Sequence, residues 1–93
     1  MKIVLIDANK MNDKEFHSYF KKKLDIKGYY GNNLDAMYDV FSTLKEGLII
    51  YVYNYDKDNL SQYGKSVWST LNELQIAKDN IEIKEINIKR KEW

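Results

Sequence analysis

Two aspartates four residues apart, Asp35 and Asp39, follow a run of two tyrosines, a glycine and two asparagines at positions 29–33. On a helix, that spacing makes the two carboxylates neighbours on one surface. If Leu34, Met37 and Phe41 face a core, then Asp35, Tyr38, Asp39 and Ser42 point the other way. The like charges repel weakly, and a place in the first helical turn lets Asp35 recover part of that from the helix dipole. Tyr29 and Tyr30 come just before the helix, so their rings can frame the carboxylates. Paired carboxylates can hydrolyse glycosides, but an exposed helix face has no cleft to make one an acid and the other a base. A second reading is an anionic recognition surface rimmed by tyrosines, which give large, rigid contacts at small entropy cost. A plain solvated helix face preceded by turn-forming Gly and Asn accounts for the same residues.

The remaining composition removes other chemistries. The 93 residues include no cysteine, so there is no disulfide framework, thiol nucleophile or thiolate metal site, and a reducing compartment suits the chain. One histidine, His17, cannot build a multi-histidine metal centre. Set beside the apolar Phe16 one turn into a helix, it reads as a surface or boundary residue. No cofactor is expected. A net charge of +1 gives no bulk attraction to nucleic acid or anionic membrane. The longest apolar run, Leu48–Tyr53, has six residues, far below the ~20 needed to span a bilayer. The apolar start at residues 3–6 ends at Asp7 with no cleavage pattern. These features place the protein in the cytoplasm, and the length suits a single domain over residues 1–93.

The elements that must position the aspartates follow from periodicity. Residues 2–6 read as a buried strand. Asn12 and Glu15 form a capping-box pattern for a first helix, whose apolar face is Phe16, Tyr19, Phe20 and Leu24. Lys21, Lys22 and Lys23 near its end complement the dipole, and Gly28 closes the unit. Asn32 or Asn33 caps a second helix with a stripe of Leu34, Met37, Phe41 and Leu44, ended by Gly47. Leu48–Tyr53 is apolar on both faces, as in a strand covered on both sides or placed centrally. Residues 54–64 read as a loop with room for one short helical turn at 56–60. A third helix spans 66–78 with Val67, Leu71 and Leu74 inward, and Asn80 closes it. Trp68 is expected to be partly buried. Ile81 and Ile83 begin a half-polar edge strand, and a phase shift before Ile86 and Ile88 marks a bulge or its end. The tail at 89–93 reads as frayed. The order implies an α/β fold: a three-stranded parallel sheet, order 1-2-3, with three main helices packed against it and a short extra helix in the loop.

The segment Tyr-Tyr-Gly-x-Asn-Leu-Asp-Ala-x-x-Asp, from Tyr29 to Asp39, resembles the signature of the barstar family, intracellular inhibitors of the secreted ribonuclease barnase. The order of strands and helices resembles that family over nearly the whole chain. The resemblance implies a protein that is not an enzyme and that blocks one. A ribonuclease active site holds phosphate with arginine, lysine and histidine, and an inhibitor can present carboxylates there instead. By this resemblance Asp39 is the phosphate mimic and Asp35 a second anionic contact. Tyr29 packs on the catalytic region, Gly31 and Asn33 shape the helix entry, and Glu73 is a peripheral acidic contact. The implied partner is a barnase-like ribonuclease in a 1:1 complex, with a free monomer.

The sequence departs from that pattern at Tyr38 and Leu44, where the family usually carries tryptophan. Barstar-like chains also tend to be acidic, whereas here residues 29–47 carry a net −2 and residues 10–28 a net +3. An anionic recognition edge with a basic back is the expectation. Two alternatives stand beside the leading one: immunity against a different toxin nuclease, and a nucleic-acid-binding module using Lys21, Lys22, Lys23 and the basic residues Lys89, Arg90 and Lys91, which read more simply as a solvated tail.

Overall fold

The structure, a computed structural model, describes residues 1–86. The expectations for Asn87, Ile88 and the basic tail fall outside the described residues. Strand β1 is Lys2–Asp7, β2 is Leu48–Tyr53 and β3 is Ile81–Glu85; helices are α1, Phe16–Lys23, α2, Leu34–Ser42, and α3, Gln62–Ala77. Short 3₁₀ turns occupy Ala8–Asn12 and Lys57–Asn59, the latter within the loop expected to hold a turn. The strands form one parallel sheet in the order β1-β2-β3. This is the α/β architecture expected from the sequence.

The sheet register explains why β2 is apolar throughout. Val4, Ile50 and Ile83 stand in one cross-strand row, and Lys2, Leu48 and Ile81 in another. Val4, Ile6, Leu48, Ile50, Val52 and Ile81 are buried in the core, which also takes in Phe16, Phe20, Met37, Phe41, Val67, Leu71 and Leu74 from the helices. Each such large side chain contributes about 1.5–3 kcal/mol by leaving water. The opposite face is less covered: Ile3 is 62% exposed, and Leu5, Ile49 and Tyr51 are only partly buried. The apolar character of β2 therefore reflects its central place and not helices on both sides.

Several boundaries correct the sequence reading. Asn12 does not cap α1; it ends the first 3₁₀ turn, and its Oδ1 accepts from the Ser61 N–H at 2.9 Å. The Ser61 hydroxyl donates back to the Asn12 carbonyl at 2.7 Å and accepts from the Gly64 N–H at 3.0 Å. Ser61 thus caps α3, which begins at Gln62 and not at residue 66. A Cβ on Gly64 would overlap Asn12 Oδ1, so glycine permits this close approach. Helix α1 closes before Gly28. The Asp25 N–H donates to Lys22 O and the Ile26 N–H to Lys21 O, with Asp25 at φ 53°. That is a Schellman closure with Asp at the left-handed position. Helix α2 stops at Ser42, leaving Leu44 beyond it. Strand β3 ends at Glu85, one residue before Ile86.

Candidate functional site

Helix α2 starts where the sequence placed it. Asn33 is extended, at φ −147° and ψ 173°, and its Oδ1 accepts from the Ala36 N–H at 2.8 Å. Its neighbour Asn32 adopts φ 54°, a left-handed conformation that asparagine tolerates better than most residues. Gly31 sits close behind: a Cβ there would meet the Ala36 Cβ at 3.2 Å, tight enough to push on the helix start. Met37 and Phe41 are fully buried, which fixes the rotation of α2 about its axis.

With that rotation set, Asp35 and Asp39 are exposed, one turn apart. Among the described residues neither carboxylate is held by a cation; the ion pairs formed there are Lys27–Asp25 and Lys84–Glu82. Tyr29 stands out as 93% exposed beside them in sequence. Asn33 and Asp35 line a shallow hollow of about 390 Å³ together with Asn32, Leu34, Lys14 and Tyr63. Tyr38 is half-buried and packs against the core, so it lies at the flank of the face and not on its outward side. Glu73 is exposed on α3, ten residues beyond Tyr63, about 15 Å along the helix from the hollow.

Tyr30 corrects the expectation that both tyrosines frame the carboxylates. It is 5% exposed, its ring packed 5.8 Å from Phe20 and 5.7 Å from His17. Its hydroxyl lies 2.7 Å from His17 Nδ1. His17 is itself 0% exposed, not a surface residue, and its Nε2 lies 2.5 Å from the Tyr63 hydroxyl. Burial keeps the His17 pKa below its usual value and raises both tyrosine hydroxyls above theirs. The signal for His17 was present in the sequence. At 3.6 residues per turn it lies only about 20° around α1 from Leu24, inside the apolar stripe. Its polarity masked that, because the two tyrosine partners lie 13 and 46 residues away.

The charge pattern is also corrected. Lys14 shares the hollow with Asp35, while Lys21 and Lys22 border a second one with Tyr30 and Asn32. The basic segment is therefore not confined to the back, because the chain after α1 returns across that helix to start α2. Leu44 is partly buried in a cleft of about 200 Å³ that Leu24, Ile26, Val40 and Leu48 line together with Lys2, Asp25 and Glu46. It fills the interior side of α2's end and does not stand on the rim of the carboxylate face. Among the described residues no group of three or more His, Asp or Glu side chains could hold a metal ion. No helix there is long and apolar enough to cross a membrane.

Comparison with known proteins bears on this arrangement. The profile of the family described as Barstar (barnase inhibitor) matches residues 1–89. A relative from Bacillus subtilis (strain 168), named "Putative ribonuclease inhibitor YrdF", is 30% identical over 79 residues, covering 81% of this chain and 87% of that protein. With the family profile spanning almost the entire sequence and the sheet order and helices in place, the chain belongs to the barstar family.

Proposed function

We propose that this protein is an inhibitor of a barnase-like ribonuclease and that it works by seating the α2 carboxylates in the enzyme's basic active site. The observation that carries the reading is the pair Asp35 and Asp39: exposed, one turn apart, unpaired by any cation among the described residues, and held on a helix whose rotation the core fixes. Free carboxylates need no internal ion pair broken before they meet arginine or lysine. An arginine fork can take a carboxylate through two parallel hydrogen bonds, as it takes phosphate. Asp39, on the open part of the helix, is the phosphate mimic; Asp35, beside the hollow, is the second anionic contact. Tyr29 supplies a large apolar ring against the enzyme, Gly31 and Asn33 set the helix entry, and Glu73 adds a peripheral charge. Tyr30 acts from beneath the loop and Tyr38 from the flank.

Such a protein performs no chemistry of its own; it excludes RNA from the enzyme and would act in the cytoplasm as a 1:1 partner. A different toxin nuclease as the target is the reading favoured by Lys14, a cation in the hollow beside Asp35. A partner must then offer an acceptor to Lys14 as well as donors to the aspartates. RNA cleavage by a barnase-type ribonuclease, assayed across molar ratios of the two proteins, tests the proposal. Inhibition should be complete at one equivalent and should be lost on Asp39→Ala. No inhibition by the wild type at ten equivalents would rule out that enzyme as the target.

A further inference from the structure

The sheet carries its helices on one face. With strand order β1-β2-β3 both crossovers run the same way across the sheet, and right-handed crossovers in one direction put their helices on one side. On that side Val4, Ile50 and Val52 share a core with Phe41 and Leu71. The register leaves two rows on the other side: Ile3, Ile49 and Glu82, then Leu5, Tyr51 and Lys84. Ile3 is 62% exposed, and Leu5, Ile49 and Tyr51 are partly so. The next row, Asp7 and Tyr53, is already buried, with Asp7 bonded to Asn9, Tyr19 and Asn54. Parallel sheets are almost always covered on both faces. An apolar half-sheet open to water calls for a cover.

We propose that the cover is a second copy of this chain, the two open faces meeting about a two-fold axis that crosses the strands between the two rows. The charges select this arrangement. Such an axis reverses the strand direction and lays each strand over its own counterpart. Ile3 then comes over Leu5 of the second copy, Ile49 over Tyr51, and Glu82 over Lys84. Each contact occurs twice, as a two-fold interface requires. An axis along the strands would instead lay β3 over β1 and press both charges against Ile3 and Leu5, which is costly. An axis through either row would set Glu82 against Glu82 or Lys84 against Lys84. Glu82 and Lys84 already pair within each chain at 3.4 Å and are about half exposed. At that rim they fix the register more than they add affinity. Three strands ~4.8 Å apart and four residues rising ~3.3 Å each bound the patch to about 200 Å² per copy. Stable complexes bury ~800 Å² per partner, so this pairing is weak and reversible. Helix α2 stands on the other side of the sheet, so Asp35 and Asp39 stay open in the pair and the proposal does not depend on the inhibitor reading. It replaces the free monomer implied by the family resemblance with a monomer in equilibrium with a dimer.

Sedimentation equilibrium of the full chain at low salt, from about 10 µM to about 1 mM, tests the pairing. The average mass should rise from that of one chain toward that of two. Ile3→Lys should weaken the association roughly ten-fold, since it sets a charge over Leu5 of the second copy. Glu82→Lys and Lys84→Glu should each weaken it several-fold by placing like charges across the contact. An equimolar mixture of those two variants should associate more strongly than either alone. All three positions are exposed, so each variant keeps the fold, which circular dichroism checks. Asp39→Ala should associate like wild type, and a loss there would place the contact on α2 instead. A wild type that stays a single chain at the highest concentration would leave the face to another part of the chain or to another protein, and would overturn the proposal. Association indifferent to Ile3→Lys would overturn it too, in favour of edge-to-edge pairing of β3, which obeys the same charge rule but lies two strands from Ile3. A mixture no stronger than its components would refute the two-fold register.

Discussion

Replacing Asn33 by alanine removes one hydrogen bond and tests how the recognition helix is fastened. Helix α2 has nine residues, fewer than an isolated helix needs to persist in water. It is held by the burial of Met37 and Phe41 and, at its start, by Asn33 Oδ1 accepting from the Ala36 N–H at 2.8 Å. Loss of an N-cap side chain costs about 1 kcal/mol. The bond is exposed, so water can take its place and the upper end of the range, ~2 kcal/mol, is not reached. For a chain of this size the loss corresponds to a urea midpoint lower by roughly 0.5–1 M and a Tm lower by about 4–8 °C. Asn33→Asp keeps the acceptor and should stay within about 0.5 kcal/mol of wild type, an anion being welcome at a helix start. Urea unfolding followed by far-UV circular dichroism measures all three proteins. Identical midpoints for wild type and Asn33→Ala would refute the capping argument and leave side-chain burial alone to orient Asp35 and Asp39.

The Ser61–Asn12 junction predicts that Gly64→Ala destabilises the protein by about 1–3 kcal/mol, because its methyl displaces Asn12 Oδ1 from the Ser61 N–H; unchanged urea stability would show that the junction yields freely. The pH dependence of stability follows from His17, whose folded pKa is lowered from 6.5 by burial. As pH falls the unfolded chain takes up the proton first, so stability is full above about pH 6.5. It then declines, by at most ~1.4 kcal/mol per pH unit, until the lowered folded pKa is passed. Thermal unfolding between pH 8 and 5 should show that decline, flattened in His17→Gln. Glu73→Ala, far from the hollow and exposed, should weaken a nuclease complex by no more than about 1 kcal/mol, mostly through the association rate at low salt; a larger loss in calorimetry would move Glu73 into the centre of the interface.

Local patterns were legible in the sequence and distant pairings were not. The six-residue apolar run gave β2 to the residue, since a central strand is apolar on both faces wherever its neighbours lie. Asn33 could be recognised as a cap because its partner is three residues away. Asn12 carried an equally good local cap pattern, yet its side chain serves Ser61, 49 residues on, and no local pattern records that. The early start of α3 was hidden because residues 62–66 show no apolar period and include a glycine required by Asn12. Around the carboxylates, the exposure of Asp35 and Asp39 followed from helical spacing. The inward turn of Tyr30 did not, since it depends on His17 and Phe20 of another helix. Lys14 entered the hollow for the same reason: the return of the chain over α1 sets it there.

The central claim is that a carboxylate charge on α2, and not merely its shape, holds a ribonuclease. Isothermal titration calorimetry of wild type and Asp39→Asn against a barnase-type ribonuclease tests it, because the amide keeps the size and removes the charge. Truncating one side of a desolvated charge pair costs about 2–5 kcal/mol, the barnase–barstar pair itself being the standard example of that magnitude. Asp39→Asn should bind at least 30-fold more weakly, roughly 2 kcal/mol, chiefly through faster dissociation. Equal affinity for the two proteins would contradict it.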